Sequence, residues 1–176
     1  TDVKISLSAD GGRTYPHVLA ASTPNDGAAS VTIPNVATSS ARVKIEALGN
    51  VFFDVSNANF TITDTLKPTI TASVAPPPNA AGWHNSNVTV DLTATDDANG
   101  SGVKSITYSA TGAQPIQSTT VNAATASMVI SANGITTLSY FATDNEGNTS
   151  DVGTTTVKID KVAPEAYLQF DRVKRD

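Results

Sequence analysis

The chain punctuates itself twice in the same way. Asp64-Thr-Leu-Lys-Pro68 follows Phe60-Thr-Ile-Thr63, and Asp160-Lys-Val-Ala-Pro164 follows Thr156-Val-Lys-Ile159, so an Asp-x-x-x-Pro joint twice closes a run rich in β-branched residues. The joints lie 160 − 64 = 96 residues apart. A seven-strand antiparallel sandwich takes roughly 100 residues, so the interval holds one such domain and little else. Asp favours turns, and Pro cannot donate to a strand ladder, so each joint is a handover between units. The spacing predicts residues 1–64 as one unit, 65–160 as a complete second one, and 161–176 as the first strand or linker of a third.

Composition points to strands throughout. Thr, Ser, Ala, Asn and Val are abundant while Leu, Glu and Lys are sparse; β-branched residues fit a pleated, half-buried surface, whereas the sparse ones build long helices. The chain is therefore expected to be all-β. Its net charge of −5 argues against nucleic acid or an anionic membrane surface as partner, since both require clustered Lys and Arg. No apolar run is long enough for membrane insertion as a helix, and no signal peptide opens the chain, so any export signal is expected upstream. With no cysteine, disulfides, thiol nucleophiles and thiolate metal sites are excluded.

Before the first joint, strands are expected at Val3 to Ser8, His17 to Ala21, Ser30 to Pro34, Ala41 to Ala47 and Val51 to Ile62, the last one bent. Val3, Ile5 and Leu7 alternate with polar residues, as do Val43 and Ile45, so one face of each strand should be buried. Five strands are too few for a seven-strand sandwich, and about 60 residues make a marginal core; the first domain is expected to be N-terminally incomplete. Between the joints, seven strands are expected: Pro68 to Ala75, Val88 to Asp96, Val103 to Ala110, Ile116 to Val121, Ser127 to Ser131, Ile135 to Thr143 and Thr154 to Ile159. Val88, Val90, Leu92, Ala94, Ile106, Tyr108, Ile130, Leu138, Tyr140, Ala142, Val157 and Ile159 should form their core. Beyond the second joint, Pro164 to Asp171 alternates like a further strand.

Several stretches are more specific. Gly82-Trp-His-Asn-Ser-Asn-Val-Thr-Val90, Thr93-Ala-Thr-Asp96, Gly100-Ser-Gly-Val103, Ile106-Thr-Tyr108 and Ala142-Thr-Asp-Asn-Glu-Gly-Asn148 resemble the bacterial immunoglobulin-like repeats of secreted and surface proteins. Val3 to Gly12, Val18 to Ala21, Pro24 to Gly27, Ala41 to Ile45 and Gly49 to Phe60 resemble the fibronectin-III-like accessory module of some secreted bacterial metalloproteases. The resemblance implies tandem immunoglobulin/fibronectin-III-like β-sandwiches, the first lacking its opening strands. It also implies a secreted or cell-surface location and a non-catalytic spacer or interaction role, with neighbouring domains, a surface protein or a polysaccharide as partner. Homo-assembly by strand addition is a further expectation, because incomplete sandwiches expose edges.

An enzyme would need a constellation of groups. His17 and His84 fall in different units, and neither His-Glu-x-x-His nor Gly-x-Ser-x-Gly occurs. No catalytic residue and no organic cofactor site are expected. Calcium is the better chemical candidate. Asp96, Asp97 and Asn99 lie between the second and third strands of the sandwich, and Asp144, Asn145, Glu146 and Asn148 between the last two. Those loops share one end of a seven-strand sandwich, and Ca²⁺ takes six to eight oxygens from such loops. A competing reading has Asp96 and Asn99 hydrogen-bonding backbone amides in a tight turn. The joint acids Asp64 and Asp160 are a weaker calcium candidate, because no acidic cluster adjoins them in sequence. Trp83 is expected to cap one end of the core. Tyr15, Phe52 and Phe53 are a possible aromatic patch for sugar, with Phe52 and Phe53 facing opposite ways if extended.

Overall fold

The computed structural model describes residues 1–165. It contains twelve strands and, among the described residues, no helix. Before the first joint are β1 (Asp2–Ser8), β2 (His17–Pro24), β3 (Thr38–Ala47), β4 (Phe53–Val55) and β5 (Phe60–Ile62). After it come β6 (Thr69–Ala75), β7 (Val88–Thr95), β8 (Val103–Gly112), β9 (Ile116–Val121), β10 (Thr125–Ile130), β11 (Gly134–Asp144) and β12 (Gly153–Ile159).

The second unit is a sandwich of a three-strand sheet, β10-β7-β6, and a four-strand sheet, β12-β11-β8-β9. All neighbours pair antiparallel. Its fourth strand, β9, hydrogen-bonds to the third rather than joining the sheet of the first, which is the fibronectin-III variant of the immunoglobulin-like sandwich. Alternation decides what is buried. Val88, Val90, Leu92 and Ala94 of β7, with Ala126, Met128 and Ile130 of β10, meet Ile106, Leu138, Tyr140, Ala142, Val157 and Ile159 of the other sheet in one cluster. Each fully buried Leu or Ile contributes about 1.5–3 kcal/mol relative to exposure. Of the expected core, only Tyr108 stays half-buried at the margin.

The first unit is one sheet in the order β2-β1-β3-β4, with β5 continuing beside β3 past the break after β4. The expected bent strand from Val51 to Ile62 is thus two short ones. The break is braced by Ser56, whose N–H donates to the Val43 carbonyl (2.9 Å) and whose hydroxyl accepts from Val43 N–H (3.2 Å). This order and direction match β9-β8-β11-β12. The expected strand Ser30 to Pro34 is irregular chain.

That difference corrects two burial expectations. Val3, Ile5 and Leu7 are buried as expected, while Ile45, directly opposite Ile5 on β3, is 42% exposed and Val43 only half-buried. Phe52 and Phe53 do not divide between inside and outside; they are 71% and 68% exposed. Phe52 lies outside any strand, and Phe53 opens a short edge strand with no facing sheet. The strand expected at Pro164 to Asp171 falls almost wholly outside the described residues.

Candidate metal centre at the joint

The first joint is built as a turn. Asp64 ends the chain segment that follows β5, and its Oδ1 accepts the N–H of Leu66 (3.0 Å). The second joint repeats this turn, with Val162 N–H donating to Asp160 Oδ1 (3.0 Å). The two aspartates differ in surroundings: Asp160 is exposed, whereas Asp64 is 3% exposed, because the β7–β8 and β11–β12 loops close over it.

Those loops share the end of the sandwich facing the first unit, as expected. Asn145 holds them together, its Nδ2 donating to the carbonyls of Ser101 (2.7 Å) and Gly102 (3.1 Å). Asp64 Oδ2 accepts Ser101 N–H (2.8 Å), and Oδ1 accepts Asn35 Nδ2 (3.0 Å). Asn35 Nδ2 also reaches both oxygens of Asp97 (3.2 and 3.1 Å). Ala37 N–H donates to the Asn99 carbonyl (2.9 Å). Asn148 completes the tie, with Nδ2 donating to the Asp64 carbonyl (3.1 Å) and to Asp144 Oδ2 (2.7 Å).

Three carboxylates converge here. Asp64, Asp96 and Asp144 each offer one oxygen, and those oxygens all lie within 4.8 Å of one another. Two oxygens bound to one Ca²⁺ at 2.3–2.6 Å stand at most about 4.6–5.2 Å apart, so the spacing of the three is on the scale of a calcium site. The donor set is oxygen-only, which selects hard divalent cations over transition metals. Two carboxylate charges about 4–5 Å apart repel by roughly 3–4 kcal/mol at an effective dielectric of 20. Hydrogen bonds nonetheless hold each carboxylate in place. The Ser101 N–H, with Asn35 and Leu66, lowers the pKa of Asp64 to about 2. Asp144, 0% exposed, accepts Asn148 N–H on Oδ1 (2.7 Å). Asp96 Oδ2 accepts Gly102 N–H (2.6 Å). Its other oxygen, Oδ1, is buried with no hydrogen-bond partner.

Gly100 makes this convergence sterically possible. A Cβ at that position would stand 2.5 Å from Asp97 Oδ1, 2.8 Å from Asp64 Oδ2 and 2.8 Å from Asp96 Oδ2. Three aspartates thus crowd one glycine.

Of the five residues expected to bind metal, Asp96 and Asp144 enter the three-carboxylate group. Asp97 turns to Asn35 and to its own loop, where Oδ2 takes the N–H of Asn99 (3.4 Å). Asn99 contributes its backbone to the joint, and Glu146 is exposed, tied through its N–H to Ser101 Oγ (3.3 Å). The turn reading also describes part of the loop, since Asp96 does hold a backbone amide. Asp64, the weaker candidate in the sequence, joins the group, and Asn35 is an addition that the sequence did not point to. The one signal for Asp64 was its recurrence at the second joint.

Of the aromatic residues expected as a sugar patch on the first unit, Phe52 and Phe53 are both exposed. Tyr15 is half-buried under Lys44, whose Nζ lies 5.1 Å from its ring centroid. Trp83, expected to cap the core, lies outside the side chains packed on the core cluster.

No protein-family model and no curated protein matches the chain. Among solved structures it is similar to the fibronectin(III)-like modules of Clostridium thermocellum CbhA, with 16% identity over 94% of this chain and 83% of that one, at a TM-score of 0.42. The fold assignment stands on strand order alone.

Proposed function

We propose that the chain is a non-catalytic spacer of an exported bacterial multidomain protein, in which calcium clamps one unit rigidly to the next. The joint carries this reading. Asp64, Asn35 and Ala37 of the first unit bind both end loops of the second, and a permanently flexible linker would not bury a carboxylate among them. Asp64, Asp96 and Asp144 would hold the ion, which supplies the positive charge that neutralises them; Asn35 and Asn148 orient the carboxylates, and Gly100 leaves them room. A spacer needs a defined reach between its ends, and a charged joint sealed by a cation supplies it wherever calcium is abundant.

The test measures rigidity directly. Small-angle scattering and ¹⁵N relaxation of the chain, with calcium and with chelator, should show the two units tumbling as one body in calcium and separately without it. Independent tumbling in both conditions would sink the spacer reading; joint tumbling in both, with no calcium bound, would leave the spacer and remove the ion.

A further inference from the structure

We infer that the uncovered apolar groove of the first unit docks residues 164–171 of a second copy of this chain, giving head-to-tail association. Alternation on β1 and β3 places Val3, Ile5, Val43 and Ile45 on one side of the sheet, and with Pro24 and Val31 of the neighbouring segment they line a groove of about 290 Å³. The groove is open, since Ile45 is 42% exposed. In the second unit the sheet of the same order lies under a whole second sheet. Here apolar surface stays in water, and covering it would stabilise the molecule. Residues 28–31 beside the groove belong to no strand or bridge. Their backbone can therefore take the N–H and C=O groups of an incoming strand, as in recognition by strand addition.

Pattern, charge and reach together name the occupant. In Pro164-Glu-Ala-Tyr-Leu-Gln-Phe-Asp171, Ala166, Leu168 and Phe170 fall on one side of an extended strand, and Glu165, Tyr167, Gln169 and Asp171 on the other. One side thus suits an apolar groove. Residues 172–175 then bring three cations, Arg172, Lys174 and Arg175. No Lys or Arg lines the groove, because the register turns Lys4, Arg42 and Lys44 to the other side of the sheet, where Lys4 and Lys44 pair with Glu46. Asp54, directly opposite Ile45 on β4, and the exposed Asp26, between the lining residues Asn25 and Gly27, are left to meet those cations.

Reach assigns the groove to another molecule. β12 begins at the joint end of the second unit and runs away from it, so Asp160, bonded to His84 at the end of β12, emerges far from the first unit. To return, the chain must retrace the seven residues of β12, about 23 Å. It must then pass the joint and run from Thr38, where β3 begins, to Ile45, about as far again. Leu168 follows Asp160 by 168 − 160 = 8 residues, at most about 29 Å of chain. The segment falls short of its own groove and meets a neighbour's. Such a contact is heterologous, and it extends from copy to copy unless it closes into a ring.

Sedimentation equilibrium of the whole chain, from roughly 10 µM to 1 mM, should show the mass rising above that of a monomer, with a dissociation constant on the order of 0.1 mM. Leu168→Asp in the occupant and Ile45→Lys in the groove should each weaken association about ten-fold or more, with thermal unfolding confirming that both variants fold. An equimolar mixture of the two should nonetheless form a dimer and nothing larger, since one keeps the groove and the other keeps the occupant. Should Ile45→Lys unfold, a synthetic peptide of residues 164–176 titrated into the Leu168→Asp chain decides alone: it should shift the amide signals of Ile5 and Ile45 and leave those of the second unit unmoved. The idea is overturned by a monomer at every concentration, by association that Leu168→Asp does not weaken, by a mixture of folded variants that stays monomeric, or by peptide shifts confined to the second unit. Chelator should leave the mixed dimer intact; its dissolution would assign association to the calcium joint and overturn the groove contact.

Discussion

Sheet β2-β1-β3-β4/β5 and sheet β9-β8-β11-β12 share strand order and direction, yet their apolar faces meet different surroundings. In the second unit Leu138, Ala142 and Ile106 lie under β6, β7 and β10 and are fully buried. In the first, Ile5 is covered while its cross-strand partner Ile45 is not, and a cleft of about 290 Å³ opens between the sheet and residues 23–31. The same alternation is therefore worth different amounts in the two places. A period-two pattern states which side of a strand is apolar; burial requires something on that side.

The largest expected effect tests this contrast in the covered sheet. Leu138→Ala should destabilise the second unit by about 2–5 kcal/mol, read as a fall in urea midpoint, whereas Ile45→Ala in the uncovered sheet should cost under about 1 kcal/mol. Equal costs would mean that the first sheet is covered in solution too.

Next in size is the effect of the calcium ion proposed at the joint. Calcium at a hundred times its dissociation constant should stabilise by about 2.7 kcal/mol, raising the unfolding temperature by several degrees. Asp144→Asn should abolish that rise. An unchanged midpoint in wild-type protein would remove the metal centre. Gly100→Ala should cost about 1–3 kcal/mol through overpacking against Asp64, Asp96 and Asp97, while the same change at Gly147, where a Cβ meets nothing within 4 Å but φ is +94°, reports backbone strain alone.

The smallest effect is on pH. The folded pKa of Asp64 lies below its ordinary value of 3.8, at about 2. Its contribution is therefore present above pH 3.8 and is lost as pH falls towards 2. Wild-type protein should lose stability across that window more steeply than Asp64→Asn, and the two should converge near pH 2. Parallel curves would show that Asp64 is not held as an anion.

Much of the second unit was legible because its signals are local. Val88-Thr-Val-Asp-Leu-Thr-Ala94 alternates without a break, and turn residues bracket each strand, so seven strands and nearly all their core positions follow from the pattern. The three-carboxylate group was half legible. Asp96 and Asp144 lie in loops that any seven-strand sandwich brings together, but Asp64 belongs to another unit, and its approach depends on how the joint turns. Asn35 carried no signal, since an amide's role depends on what it faces.

The sequence by itself determined the strand class, the interval between joints and the apolar side of each strand, because these depend on residue type and on spacings of a few residues. Only the tertiary structure decided which apolar side is covered and which three acidic residues, among the described ones, converge. The convergence joins segments 30 or more residues apart, where the geometry of packed sheets, not local preference, fixes which groups meet.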